Sequence, residues 1–301
     1  MIRFIKDYGS KAFIAWLTLG ILWGATFVGA NIGVQHLPAL LMGGTRFFIA
    51  AITALFLSLP QNAWRNIKKR QILHSALMGG LMFGISNGFI SVAQVWVSSS
   101  LTAIILATPP IMVALIDSYL PGGIRLSCKG WAGLLTSFGA IFWMWLPHMD
   151  MAGIGWFPLI LLLLASFFWA LGMLAGRHLP RIPNAWADIS IQCFTAAAMQ
   201  IGVGSCLGMW AHWHSNLPGW LAILFLALIG TVIGNYCLVY ILGRMPPAKV
   251  MTYAYVNPVA AMLLGVLLLR EILAMRMIIA ALIILAGVSL CQNAAVEVKK
   301  K

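Results

Sequence analysis

The sequence predicts an all-α integral membrane protein of ten transmembrane helices, arranged as two inverted five-helix repeats with both termini in the cytoplasm. Three observations lead to this prediction: the composition, the placement of the basic residues and an internal repeat. Hydrophobic residues make up 62% of the chain, charged residues only 8%, and the mean hydropathy is +0.96. Soluble domains carry about 25% charged residues, so the composition excludes that class.

Ten apolar runs are long enough to cross a bilayer as helices, which takes about 20 residues each. Their length and continuity exclude a β-barrel, whose strands alternate in polarity over roughly ten residues. In lipid, the helix is then the conformation that pairs every backbone amide. The predicted spans are 12–34, 38–59, 72–96, 100–120, 130–146, 154–176, 187–211, 218–242, 249–270 and 273–292.

The basic residues follow one side of the predicted membrane. All but three of the 19 Lys and Arg residues lie in the termini and in alternate loops, and the exceptions are Arg46, Arg270 and Arg276. This positive-inside pattern places both termini in the cytoplasm of a multi-pass protein of the bacterial inner membrane. It excludes nucleic acid as a partner, because no folded domain gathers the charges into one surface. The predicted partners are the lipid bilayer and a small-molecule substrate, and the oligomeric state is not predicted.

The two halves of the chain, 12–146 and 153–292, align as a repeat. The corresponding pairs, at offsets of 146 or 148 residues, are Trp23 with Trp169, Asn87 with Asn235, Pro110 with Pro258 and Gly139 with Gly287. Because five spans is an odd number, the second copy enters the membrane from the opposite side. Inverted repeats of this kind are typical of transporters that expose a central site to one side and then the other.

Prolines interrupt the same span of each repeat. Pro110 and Pro258 leave the carbonyls of Leu106 and Ala254 without their helical donors. One interpretation is a kink that only eases packing, since neighbouring helices commonly satisfy such groups. The other is a broken helix at the midplane substrate site, for which recurrence in both halves is the best sequence indicator.

Two long stretches carry a family resemblance. GNYCLVYILGRMPPAKVMTYAYVNPVAAMLLGVLLLREIL, from residue 234, and LGILWGATFVGANIGVQHLPALLMGGTRFF, from residue 19, resemble the EamA family of the drug/metabolite transporter superfamily. The resemblance covers residues 12 to 292 and implies a ten-helix carrier that exports amino acids, nucleosides or other small metabolites. The family usually has an acidic residue after the fourth helix, where this chain has Pro121-Gly122-Gly123.

Polar and aromatic residues inside the spans are the candidates for substrate binding. Asn87, Ser91 and Gln94 share one face of the third span, and buried amides offer both donors and acceptors to a zwitterion or heterocycle. Interhelical hydrogen bonding is the alternative role for such amides. The candidate substrate-binding residues are Trp23, Arg46, Asn87, Gln94, Trp169, Asn235, Tyr253, Tyr255 and Asn257.

Arg46 is the one strong charge placed inside a predicted span, at a cost of about 2.5 to 3.5 kcal/mol on insertion scales. It therefore needs a partner, which is either a backbone carbonyl or neighbouring helix, or the carboxylate of a substrate. Glu271 is predicted to form an exposed or interfacial ion pair with the adjacent Arg270.

No catalytic residue, metal ligand or cofactor is predicted. The five cysteines show no C-x-x-C spacing, and the six acidic residues are scattered singly, with none at midplane. An enzyme is therefore not predicted, and neither is proton antiport, which normally needs a carboxylate inside the membrane. The function predicted is secondary export of amino acids or similar zwitterionic or uncharged metabolites. The alternatives are a membrane-embedded scaffold or assembly protein, and an exporter of nucleosides or drug-like molecules.

Overall fold

The computed structural model describes residues 9–120, 126–148, 155–242, 244 and 250–298, and every regular element among them is helical. Several basic residues behind the predicted orientation, such as Arg3, Arg125 and Lys249, lie outside these residues, as does Pro121-Gly122-Gly123. The α-helices are α1 (Ser10–His36), α2 (Ala39–Ser58), α3 (Lys69–Gly79), α4 (Asn87–Ala93), α5 (Ser99–Ile105), α6 (Pro109–Tyr119), α7 (Cys128–Trp145), α8 (Phe157–His178), α9 (Ala185–Cys206), α10 (Leu217–Leu224), α11 (Gly234–Leu242), α12 (Val256–Leu269) and α13 (Met275–Val298).

Within the described residues, eight helical segments are long and apolar enough to cross a membrane. They coincide with eight of the ten predicted spans. The predicted fifth and tenth spans correspond to α7 and α13, which are not among the eight; the apolar part of α13, Met275–Cys291, is shorter. These two helices pack along each other, and the Ser137 hydroxyl donates to the Ile284 carbonyl at 3.3 Å.

Two spans contain a π-helical segment that the sequence did not reveal. Gly80–Ser86 joins α3 to α4 in the third span, and Phe225–Ile233 joins α10 to α11 in the eighth. These are corresponding spans of the two repeats. The π-helix is rare, and it occurs mostly as a short insertion within an α-helix, frequently at a functional site.

Both prolines of the repeat lie where a helix is interrupted. In the fourth span, α5 ends at Ile105 and α6 begins at Pro109, so that Pro109 and Pro110 occupy the first helical turn, where no donor is missed. In the ninth span, a 3₁₀ turn over Met251–Tyr255 precedes α12, and Pro258 is the third residue of that helix.

Polar side chains set the starts of several helices. The Ser98 hydroxyl accepts from the Leu101 amide at the start of α5, and the Asn184 carboxamide accepts from two amides at the start of α9. The Asn216 carboxamide accepts from the Gly219 amide at the start of α10. Such caps satisfy donors that the first turn of a helix leaves free, and they fix where these spans begin.

The packing joins the two halves through corresponding helices. The second spans, α2 and α9, lie together and are linked by a 3.0 Å hydrogen bond from the Ser190 hydroxyl to the Ala51 carbonyl. The first helix of each half packs against the third and fourth spans of the other half: α1 against α11 and α12, and α8 against α4 and α6. The middle of the molecule is therefore bounded by both repeats.

The predicted ion pair between Glu271 and Arg270 is wrong. Arg270 is exposed in a left-handed conformation at the end of α12, and the chain turns there so that Glu271 faces α5. Its carboxylate accepts from the Ser99 amide at 2.8 Å, from the Ser99 hydroxyl at 2.6 Å, and from the amide and hydroxyl of Ser100. A carboxylate is favoured there because the first turn of a helix presents unpaired N–H groups and positive potential.

Candidate functional site

A central cavity of about 90 Å³, measured as the space open to the centre of a water-sized sphere, lies between the two halves. Its wall is formed by α1, α2, both π-containing spans, the interrupted fourth span, α8 and the start of the ninth span. The structure brings eight of the predicted residues to this wall: Trp23, Arg46, Asn87, Pro110, Trp169, Asn235, Tyr253 and Asn257.

Aromatic rings form one continuous part of the cavity wall. The Trp23 ring meets the Trp169 ring edge-on at 5.7 Å between centroids and the Tyr253 ring at 5.0 Å. Trp169 also meets Phe83, at 5.9 Å. The Trp23 indole N–H donates to the Gly230 carbonyl in the eighth-span π segment, at 3.2 Å. Edge-to-face contacts of this kind hold the rings in fixed orientations.

The two corresponding asparagines each bond to their own span. Asn87 Nδ2 donates to the Met82 carbonyl at 3.0 Å, and Asn235 Nδ2 donates to the Thr231 carbonyl at 2.7 Å. The Thr231 hydroxyl donates in turn to Leu226, five residues earlier, at 2.8 Å. Where α- and π-helical hydrogen bonding meet, carbonyls lose their regular donors and side chains take over.

This arrangement leaves the amide oxygens of Asn87 and Asn235 free on the cavity wall. Neither Oδ1 accepts a hydrogen bond from the described residues. The nitrogen of each carboxamide therefore serves the local fold, while the oxygen is an acceptor available to a bound solute.

Arg46 lies at the cavity with most of its hydrogen-bonding capacity unused. Its side chain is 8% exposed, its Nε donates to the Thr231 hydroxyl at 3.3 Å, and its guanidinium lies 4.5 Å from the centroid of the Phe47 ring. A guanidinium has five N–H donors. The other four have no acceptor among the described residues.

No carboxylate among the described side chains lines the cavity. Asp188 accepts from Ser75 and Gln192 where α9 approaches α3, Glu271 is held at the start of α5, and Asp117 lies within α6 away from the cavity wall. Within the same part of the chain, no cluster of three His, Cys, Asp or Glu residues is arranged to hold a metal ion.

Three predicted residues do not line the cavity. Gln94 follows the last residue of α4, and its amide donates to the Phe27 carbonyl at 2.9 Å, so that it joins the third span to α1. Tyr255 packs against the apolar cluster that contains α7 and α13. Pro258 is buried in α12, next to Asn257. The groups around the Asn257 carboxamide assign its nitrogen to the side that faces two carbonyls, of Gly20 at 2.8 Å and Tyr253 at 3.3 Å, to which it then donates.

Sequence reasoning missed several cavity residues, among them Phe83, whose ring meets Trp169, and Gly230, whose carbonyl accepts from Trp23. Both belong to the π segments. The available signal is a G-x-x-x-G pair in each of these spans, Gly80/Gly84 and Gly230/Gly234, although the two pairs are two positions out of the register that aligns Asn87 with Asn235.

Comparison with known proteins places the chain in a family. The model of the EamA-like transporter family matches it twice, at residues 10–146 and 156–291. The chain belongs to the EamA-like transporter family. The resemblance to drug/metabolite transporters predicted from the sequence is thereby confirmed, and so is a two-repeat architecture within a multi-pass membrane protein.

Three relatives show the range of this similarity. The inner membrane transporter YedA of Escherichia coli (strain K12) is 32% identical to this EamA-like transporter, and the match covers 84% of this chain and 81% of YedA. The transporter YoaV of Bacillus subtilis is 23% identical over 92% and 95%, respectively. A probable amino-acid metabolite efflux pump of Escherichia coli (strain K12) is 21% identical over 90% and 91%. These names point to a transporter of the inner membrane rather than an enzyme.

A solved structure shares the fold. One crystal structure superimposes with a TM-score of 0.64 at 18% sequence identity, over 96% of this chain and 98% of the other. The match extends over almost the whole transporter, so that the helical arrangement around the cavity belongs to a fold already seen by crystallography.

Proposed function

We propose that the protein is a secondary exporter of small metabolites, most simply amino acids or similar zwitterionic or uncharged solutes, working by alternating access at the central cavity. The main observation in support of this proposal is that both repeats contribute corresponding residues to one cavity, among them Trp23 with Trp169 and Asn87 with Asn235. In this proposal, the repeats at 12–146 and 153–292 are inserted in opposite orientations. The chain crosses the membrane ten times, and both termini are cytoplasmic.

Three features of the structure support this mechanism. Each first-span helix packs against the third and fourth spans of the other half, so that the halves can rock about the cavity between them. The π segments and the interrupted fourth and ninth spans place irregular backbone around the cavity. Irregular backbone at membrane depth is tolerated where it lines a cavity. A relative named as a probable amino-acid metabolite efflux pump agrees with the substrate class.

Reconstituted vesicles test transport directly. Vesicles loaded with labelled amino acids, nucleosides or cationic dyes are compared with and without protein, and we expect faster loss of amino acids only when protein is present. Nucleoside or dye export without amino acid export would support the alternative cargo. Equal loss of every compound with and without protein would instead favour a scaffold or assembly role.

Replacing Asn87 or Asn235 by alanine is expected to slow export about tenfold, because the solute loses one hydrogen bond worth about 1.4 kcal/mol. The melting temperature should change little, because each asparagine makes one hydrogen bond within its own span, and such a bond contributes only about 1 kcal/mol net. Gln35→Ala is the matched control, since it removes an exposed amide whose partner, Asn31, is outside the cavity. Unchanged export in both variants would remove the asparagines from the site.

A pH gradient is expected to change the export rate little at constant membrane potential. A proton antiporter needs a group in the cavity that binds a proton and the cargo in turn, and this group is normally a carboxylate. The described cavity wall has no carboxylate. The measurement is efflux from vesicles with an imposed gradient and a clamped potential. Steep accumulation driven by the gradient would contradict this expectation.

A further inference from the structure

Arg46 identifies the part of the cargo that the cavity recognises. We propose that the transported solute must carry a free carboxylate, which binds the Arg46 guanidinium and supplies the counter-ion that the protein lacks. This inference rests on the proposed function, because it concerns the cargo of the same cavity. It narrows the cargo to carboxylic acids and amino acids, and it excludes nucleosides and cationic drugs.

The first argument is the unbalanced charge. A buried cation without a counter-ion is costly. Among the described residues, the Arg46 guanidinium has one hydrogen-bond acceptor, the Thr231 hydroxyl, and it lies against the Phe47 ring and near the Cys193 thiol, none of which is a carboxylate. Four N–H groups are free beside a cavity with room for a small solute. A carboxylate satisfies such a guanidinium with two parallel hydrogen bonds.

The second argument is that Arg46 has no charged counterpart at the equivalent position of the second repeat. In the repeat alignment, the position of Arg46 corresponds to Gln192, which is uncharged, buried and bonded to Asp188 away from the cavity. The described wall therefore holds one cation. One cation balances a carboxylate, whereas a phosphate with nearly two charges would remain only half balanced.

The third argument is the orientation of the cation. Nε is occupied by Thr231, which is itself fixed by its bond to the Leu226 carbonyl in the eighth-span π segment. Thr231 is thus a positioning residue that holds the guanidinium edge at the cavity. On the same wall, the free amide oxygens of Asn87 and Asn235 are acceptors suited to the ammonium group of an amino acid.

The test compares matched compounds on the purified full-length protein. The melting temperature is titrated with L-leucine and leucinamide, with L-phenylalanine and phenylalaninamide, and with inorganic phosphate. Each amide keeps the side chain and ammonium group but has no carboxylate. We expect at least one acid to raise the melting temperature, with an apparent affinity at least tenfold above that of its amide. Phosphate should have no effect.

Three variants locate the effect. Arg46→Gln should abolish the preference for the acid, and Thr231→Val should weaken acid binding several-fold without changing amide binding. Arg276→Gln removes a partly exposed arginine that contacts Trp143 outside the cavity, and it should leave the preference intact. The preference in the unaltered protein does not depend on any variant folding.

The possible outcomes separate this inference from the transport proposal. Amides that bind as well as the acids, phosphate that binds more tightly, or the absence of any shift with the acids would overturn the carboxylate requirement. If vesicles nevertheless export nucleosides or dyes, transport stands while the inference falls. If vesicles export nothing, the transport proposal itself falls.

Discussion

Vesicles loaded with a labelled amino acid are expected to lose it at least about tenfold faster when the same unlabelled amino acid is present outside than when the outside is empty. Between its two open states, a carrier must pass through a closed state in which the cavity is shut off from water. In this structure, the described residues give Arg46 one hydrogen-bond acceptor and one ring contact but no carboxylate, so that closure around an empty cavity would leave the guanidinium without a counter-ion. Withdrawing such an ion from water costs several kcal/mol, and each 1.4 kcal/mol slows a step tenfold.

The carboxylate of the cargo removes this cost, so that the loaded carrier reorients faster than the empty one. The protein is then expected to exchange solutes rapidly and to release them slowly on its own. The measurement is the initial rate of efflux with and without external amino acid. Arg46→Gln is the informative variant, because its empty cavity has no ion to withdraw and the two rates should converge. Equal rates in the unaltered protein would show that the unpaired charge does not limit reorientation.

The parts of the fold that lipid dictates were predictable from sequence. Hydrocarbon leaves no partner for a free amide, so that long apolar runs can only be helices, and eight of them have membrane length in the described residues. The repeat was equally informative about the cavity. Residues at equivalent places in two symmetric halves approach each other near the axis that relates them, and Trp23 and Trp169 meet there at 5.7 Å.

The π segments could not be predicted in the same way. Apolar side chains accommodate both α- and π-helical hydrogen bonding, and the choice depends on carbonyl partners from elsewhere, such as Gln200, whose Nε2 donates to Phe83 and Gly84. The misplacement of Gln94 has a different cause. It lies just beyond the end of α4 at Ala93, and the Phe27 carbonyl of α1 takes its carboxamide as a donor.

The role of Glu271 shows a second limit of sequence reasoning. Its neighbour Arg270 is an obvious partner in the sequence, but adjacent residues at a helix end point in different directions. The actual partners, Ser99 and Ser100, lie 172 and 171 residues away along the chain. A contact between residues so far apart in the sequence depends on how α12 packs against α5, and a local sequence pattern carries no information about that packing.

Gly24→Val is expected to destabilise the protein severely. A Cβ atom at Gly24 would lie 2.6 Å from the Ala260 Cβ and 2.7 Å from the Asn257 carbonyl oxygen, closer than atoms can approach. The obstruction is largely α12 backbone, which cannot rotate away as a flexible side chain can. Overpacking typically costs about 1 to 3 kcal/mol, and a backbone clash should reach the upper end of this range.

The expected result is a melting temperature lower by about 10 °C, with loss of the monodisperse detergent peak on gel filtration. Gly139→Val in α7 and Gly202→Val in α9 are matched controls, because nothing lies within 4 Å of a Cβ at either position. They carry the same change in helix propensity and should melt within a few degrees of the unaltered protein. A stable Gly24→Val variant would mean that α1 and α12 can separate at little cost. Since Trp23 and Asn257 face the cavity from these two helices, that result would also count against a firmly held cavity wall.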